Sequence, residues 1–225
     1  MRKINKILII IQRSNGDVFL SSSLIKALFE HFKSPVIDLL INDDTYSIGK
    51  LIPHINNIYT FSYKKKNDKR WSQEKKIFLI IFNKYDLSIN LTASDRSVFY
   101  ALLAGKKTIS AVEKQQKKSW WKRLFLTHHY VFDNTKHILT NNLKPLNILN
   151  IPFKDIHYPI KINNDKISKV KEKLNSINVK EFIIFHPSTQ YKYKIYPKNL
   201  RDVLLKSLSK LGVPVIITGG NNFFD

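Results

Sequence analysis

IIIQRSNGDVFLSSSLIKALF, residues 9–29, joins an uninterrupted apolar run to a segment of helical period. Ile7 to Ile11 are five consecutive apolar residues, the pattern of a strand buried on both faces. Leu20, Leu24, Ile25, Leu28 and Phe32 then recur at the spacing of one helix face. Arg13, Ser14, Asn15, Gly16 and Asp17 are expected to form the turn between them. In an open α/β sheet ligands bind beyond the carboxyl ends of the strands, so a carboxylate at this place has a chemical use. Asp17 also has a purely structural reading as the helix N-cap, its oxygen accepting a backbone N–H. Both readings stand on these residues alone.

Working outward, the same alternation continues. Short apolar strands are expected at PVIDLLI (35–41), YDLSINL (85–91), KTISAV (107–112), EFIIFH (181–186) and VPVIIT (213–218). Helical patterns lie between them at WSQEKKIFLIIF (71–82), DRSVFYALLAG (95–105), NTKHILTNNLKPLNIL (134–149) and PKNLRDVLLKSLSKLG (197–212). Strands alternating with helices predict parallel sheets joined by right-handed crossovers. No internal repeat or low-complexity linker interrupts them. At NIPFKDIHYPIKINND (150–165) two prolines coincide with loss of helical period, and βα alternation restarts afterwards. The expected division is therefore a first domain of residues 1–155 and a second of 156–225, the latter too short for a complete doubly wound sheet.

Composition bounds the rest. The chain has 225 residues, 43% of them hydrophobic, enough for one or two domains with a substantial core. It has no cysteine, which excludes disulfides, thiolate chemistry and cysteine metal sites, and is compatible with a reducing cytosol. KINKILIIIQ is too short to span a bilayer and reads as a first strand rather than a signal segment, so a cytoplasmic location is expected. Thirty-eight basic against seventeen acidic residues leave a net charge of +21. A field of that sign concentrates polyanions: nucleic acid, a phosphorylated glycolipid or an anionic membrane face. The segment KKSWWKRLFL (117–126), with Trp120 and Trp121 among four basic residues, reads as a lipid-interface element, a mobile loop or plain packing.

A second chemical segment is FHPSTQYKYKIYPKNLRDVLL (185–205). A buried strand delivers His186, Pro187, Ser188 and Thr189 into a loop, and Pro197 falls near the first turn of the following helix. Hydroxyls, a lysine and the positive end of a helix dipole are the parts of a phosphate site, although no glycine-rich Walker loop is present. Alternating Lys192, Lys194 and Tyr191, Tyr193, Tyr196 equally suit an exposed loop.

Taken together, RSNGDVFLSSSLIKAL near the start, then HPST, KIYP and VPVIITGG in that order, resemble the lipopolysaccharide heptosyltransferases of glycosyltransferase family 9. The resemblance covers essentially the whole chain and implies the GT-B fold, an α/β architecture of two Rossmann-like domains with parallel sheets. It assigns the first domain to the acceptor and the second to the nucleotide-sugar donor. It also implies an inverting transfer, with no cofactor and no metal, from ADP-heptose or a related nucleotide sugar to an anionic lipid A–core glycolipid. The enzyme would then work at the inner face of the cytoplasmic membrane as a peripheral protein.

Residue by residue, the resemblance makes Asp17 the catalytic base in a turn with Gly16. Ser188, Thr189 and Lys194 become the donor-phosphate groups, while His137 and Arg96, with the basic stretch KKKNDKR (64–70), lie on the acceptor side. Two departures from the family stand out: one extra residue separates Thr189 from Lys194, and the Asp-Gly loop and histidine that follow the TGG strand in the family are absent. The C-terminal domain is accordingly expected to be truncated. Two alternatives remain open: an inactive homologue that keeps only acceptor or partner binding, and a basic nucleic-acid-binding protein. Against the latter, no helix-turn-helix, zinc or RNA-binding signature is present.

Overall fold

The structure, a computed structural model, describes residues 3–64, 66–153, 158–187, 189 and 194–219, the side chains at 66–69 and 116–119 excepted. Two compact units divide at Lys161/Ile162, rather than at residue 155.

In the first unit six parallel strands form one sheet: β1 (Lys6–Ile11), β2 (Val36–Asn42), β3 (Ile55–Phe61), β4 (Tyr85–Asn90), β5 (Gly105–Val112) and β6 (His128–Val131). Their order is β3-β2-β1-β4-β5-β6. The helices of this unit are α1 (Asn15–Phe19), α2 (Ser22–His31), α3 (Tyr46–Gly49), α4 (Lys66–Ile81), α5 (Asp95–Ala104), α6 (Gln116–Phe125) and α7 (Ile138–Ile148).

Strand β1 shows why an all-apolar run folds this way. Ile7, Ile9 and Ile11 pack with Leu24, Leu28 and Leu143 of α2 and α7, whereas Leu8 and Ile10 pack with Ile77, Ile81, Tyr100 and Ala101 of α4 and α5. Successive side chains of a strand point to opposite faces, and both faces here are covered by helices. All five are fully buried.

Gly105 opens β5 where a Cβ would stand 2.6 Å from the Ser88 hydroxyl and 2.7 Å from the Ser88 nitrogen on β4, so this register needs glycine. The edge strands β3 and β6 were not among the expected ones. Each pairs on a single side, and their polar residues are exposed.

The second unit contains α8 (Asn164–Ser176), β7 (Ile183–Phe185), α9 (Lys198–Ser209) and β8 (Val215–Ile217), with β7 and β8 paired in parallel. Both strands coincide with expected ones. None of the described residues of this unit is buried, and Ile184, Val203, Leu211 and Ile217 are each about 60% exposed. Two paired strands do not cover two sheet faces. Among the described residues no helix is long and apolar enough to cross a membrane.

Candidate functional site

Strand order reverses between β1 and β4, and in doubly wound sheets the crevice at the carboxyl ends of such a strand pair is where ligands bind. A cavity of about 720 Å³ opens there. Arg13 after β1, Thr92 to Ser94 after β4, Glu113 after β5 and Phe132 after β6 line it. Each follows its strand directly, so the parallel sheet itself converges them.

The loop expected at Arg13–Asp17 is shorter than the sequence suggested. α1 begins at Asn15, with the Ser14 carbonyl accepting from the Val18 N–H at 3.0 Å. Ser14 occupies the N-cap position, and Asp17 lies inside the first turn rather than capping it. Its carboxylate is turned to Arg13, whose Nε donates to Asp17 Oδ2 at 2.8 Å. Among the described residues no hydrogen bond reaches Oδ1. Arg13 is held in turn over the Phe132 ring, 4.7 Å from its centroid. The Asp17 side chain keeps 20% of its surface, so it stays open to a reactant.

Gly16 is not a turn glycine. It is helical, no positive φ occurs there, and an added Cβ would meet nothing within 4 Å. Open space around its Cα is what distinguishes this position.

Some buried polar groups were not singled out by the sequence reading, among them Gln12 next to Arg13, Tyr130, on which Arg13 acts, and Asn142, which reaches the Asp17 carbonyl. Both side-chain polar atoms of Gln12, Oδ1 of Asn142 and the Tyr130 hydroxyl lack hydrogen-bond partners among the described residues. Asn142 Nδ2 stands 3.5 Å from the Asp17 carbonyl oxygen. Burial pushes the Tyr130 hydroxyl pKa well above the ordinary tyrosine range, with Arg13 opposing. Unpaired buried polar atoms are costly, so each of these calls for an explanation.

Other carboxylates serve the architecture. Fully buried Asp38 accepts from the Asn57 backbone N–H at 3.0 Å and from the Tyr85 hydroxyl at 2.7 Å, near the amino ends of the strands. Asp86 accepts from the N–H groups of Asn5 and Lys6, and the first of these leads in holding its carboxyl below the usual range. Among the described residues no group of three or more His, Cys, Asp or Glu is placed to hold a metal ion.

The two acceptor-side residues expected from sequence have visible structural partners. Arg96 stacks over Phe61 at 3.8 Å and Tyr63 at 4.6 Å and donates to the Tyr63 hydroxyl. His137 is the N-cap of α7, its Nδ1 accepting from the Leu139 N–H at 3.3 Å. Neither lines the cavity beside Arg13.

In the second unit, His186 Nδ1 and the Thr218 hydroxyl meet at 2.8 Å across the carboxyl ends of β7 and β8. Pro197 is the N-cap of α9. Thr189 and Lys194 are exposed, and Ser188 lies outside the described residues, as does much of the loop between them.

No family model matches the chain. Two curated proteins do, both lipopolysaccharide heptosyltransferase 3 of Escherichia coli. One, from strain K12, is 27% identical over 212 residues, covering 92% of this chain and 61% of its own length. The other is 24% identical over 216 residues, covering 92% and 62%. The chain resembles the lipopolysaccharide heptosyltransferases. It spans about three fifths of the length of these relatives.

Solved structures of family 9 glycosyltransferases and heptosyltransferases give the fold. The family 9 glycosyltransferase from Veillonella parvula aligns over 98% of this chain and 64% of its own, with a TM-score of 0.81 at 18% identity. The E. coli heptosyltransferase WaaC solved with ADP aligns over 96% and 67%, with a TM-score of 0.72 at 16% identity. The α/β fold with parallel sheets is thus shared with the heptosyltransferases.

Proposed function

We propose that this chain is a family 9 glycosyltransferase of GT-B type. It transfers a heptose or similar sugar from a nucleotide-diphosphate donor such as ADP-heptose to the inner core of lipopolysaccharide, with inversion. The observation that carries the reading is the Asp17 carboxylate after β1, partly exposed and oriented by Arg13, which itself lines the cavity at the carboxyl ends of the strands.

A sugar hydroxyl is far too weakly acidic to attack unaided. A carboxylate within hydrogen-bond reach takes its proton as the new bond forms to the anomeric carbon. Arg13 fixes one oxygen of Asp17 and leaves the other to receive that proton. Attack on the face opposite the departing diphosphate inverts the anomeric centre. The leaving diphosphate gathers charge, which Ser188, Thr189, Lys194 and the amino terminus of α9 are assigned to stabilise. Similarity to the two curated heptosyltransferases supports the sugar and the acceptor. The acceptor is anionic, and the net charge of +21 would steer it.

Asp17→Asn is the decisive variant. It keeps shape and a hydrogen-bond acceptor for Arg13, so the melting temperature should move little, the partly exposed pair being worth at most about 1 kcal/mol. ADP release from ADP-heptose in the presence of lipopolysaccharide core should fall roughly 10²- to 10⁴-fold. Turnover near the parent rate would remove Asp17 from the chemistry.

A further inference from the structure

Lys122 on α6 is fully buried, and the three donors of its ammonium meet acceptors from three residues. Nζ lies 2.8 Å from the Ala93 carbonyl, 2.8 Å from Asp95 Oδ1 and 2.7 Å from Glu113 Oε2, with Glu113 Oε1 at 2.8 Å. Ala93 and Asp95 flank Ser94, the N-cap of α5, and Glu113 directly follows β5. A set of apolar side chains of similar volume fastens a helix without the desolvation penalty of a buried ammonium, so fastening α6 does not by itself account for a lysine here. What an apolar residue cannot do is hold a carboxylate in one orientation.

That carboxylate stands in the candidate site. Ala93, Ser94 and Glu113 line the cavity at the carboxyl ends of the strands, as does Arg13, the partner of Asp17. The Glu113 side chain keeps 34% of its surface, against none for Lys122. Glu113 is the only acid among the described residues that line the cavity, where Arg13 and Lys114 are the cations. In a chain of net charge +21, attraction of an anion would be stronger without it. The loops after β1 and β4 are joined as well, the Gln12 N–H donating to Thr92 Oγ1 at 3.0 Å.

We propose that Glu113 selects the acceptor sugar: its carboxylate accepts from hydroxyls of a pyranose ring seated in the cavity and turns away a carboxylate or phosphate at that place, while Lys122 is the positioning residue that holds it. An ionised acceptor makes stronger hydrogen bonds to hydroxyls than a neutral one, and its charge disfavours an anionic substituent at the same spot. Arg13 and Lys114 are left for the anionic part of the acceptor. The inference rests on the reading of a glycolipid acceptor and narrows it to a face of hydroxyls, yet its test needs neither donor nor transfer.

The probe is lipid-free oligosaccharide of the lipopolysaccharide inner core, titrated into the full chain by calorimetry at fixed salt. Glu113→Gln keeps the shape of the side chain and removes one negative charge. Charge alone would then tighten binding of this anionic probe, whereas hydroxyl recognition weakens it about tenfold. Asp95→Asn alters another partner of Lys122, one that does not line the cavity, and should leave the affinity at the parent value. Lys122→Met should weaken binding as much as Glu113→Gln does, and the two together no further, because both act through one group. The proposal is overturned by binding that is unchanged or tighter in Glu113→Gln, by an equal loss in Asp95→Asn, or by absence of binding to the parent chain. Additive losses in the double variant would overturn the role of Lys122. ADP release, assayed separately, keeps this assignment apart from that of the base. Asp17→Asn turnover near the parent rate would end the base and leave these affinities standing, whereas transfer indifferent to Glu113→Gln would end only the role of Glu113.

Discussion

Gly16 separates two demands on one helical turn. Glycine in a helix is roughly 1 kcal/mol less favourable than alanine, and the structure offers no steric reason for it, since a Cβ there meets nothing. Gly16→Ala should therefore raise stability by up to about 1 kcal/mol in urea unfolding. If the open space at Gly16 is where the acceptor sugar approaches, the same change should raise KM for the acceptor severalfold. An alanine variant that is more stable and kinetically unaltered would show that the reactant approaches from elsewhere. Asp17 was legible in sequence because a carboxylate following a buried strand is informative by itself. Its partner was not: Arg13 was assigned only to the turn, and nothing local announces a contact four residues apart across the start of a helix. Gln12, Tyr130 and Asn142 were invisible for a related reason, since their significance lies in lacking partners.

Lys122 fixes α6 to the loops after β4 and β5 through Ala93, Asp95 and Glu113. Lys122→Met keeps the volume and removes the tie. Its partners are partly solvated, Asp95 at 75% and Glu113 at 34% side-chain exposure, so the loss should be about 1–3 kcal/mol rather than the larger cost of stranding two buried carboxylates. Adding Glu113→Gln to that variant should recover part of the loss, and strict additivity in denaturant titrations would argue against the coupling. Elements with strong periodicity were readable in advance. β1, β2, β4 and β5 are apolar runs because both of their faces are covered, and α5 and α7 show a clear helical stripe. INNIYTF and HHYV, the β3 and β6 strands, lie at sheet edges where one flank is open and polar residues are tolerated, so their sequences carry little strand signal. The lysine- and tryptophan-rich α6 was singled out for its chemistry without being recognised as a helix. The exposed side of α6 is apolar and its buried side includes a lysine, the reverse of the usual pattern.

The two units differ in how much surface they hide. The first has a continuous core on both faces of a six-stranded sheet, whereas the second has no buried residue among those described. Amide exchange should accordingly be slow in β1 and β4 and faster by orders of magnitude in β7 and β8, whose opening exposes little additional apolar area. Uniform protection across both units would contradict that picture. The alternation of strands and helices was enough to anticipate this architecture. The site was only half legible, since its cavity is assembled from the ends of four strands far apart in sequence. The position of β1 has a further consequence, for the order in which the molecule is made. Ile7 pairs with Ile37 on one flank and with Leu87 on the other, so β1 leaves the ribosome before both neighbours and acquires the second only once β4 has been made. At about 5–20 residues per second, this apolar strand, with Arg13 and Asp17 beyond its end, waits for seconds with one edge bare. Arg13 and Asp17 are thus synthesised well before β4 completes the pairing of their strand, and a chaperone with affinity for exposed apolar strands would meet β1 in that interval.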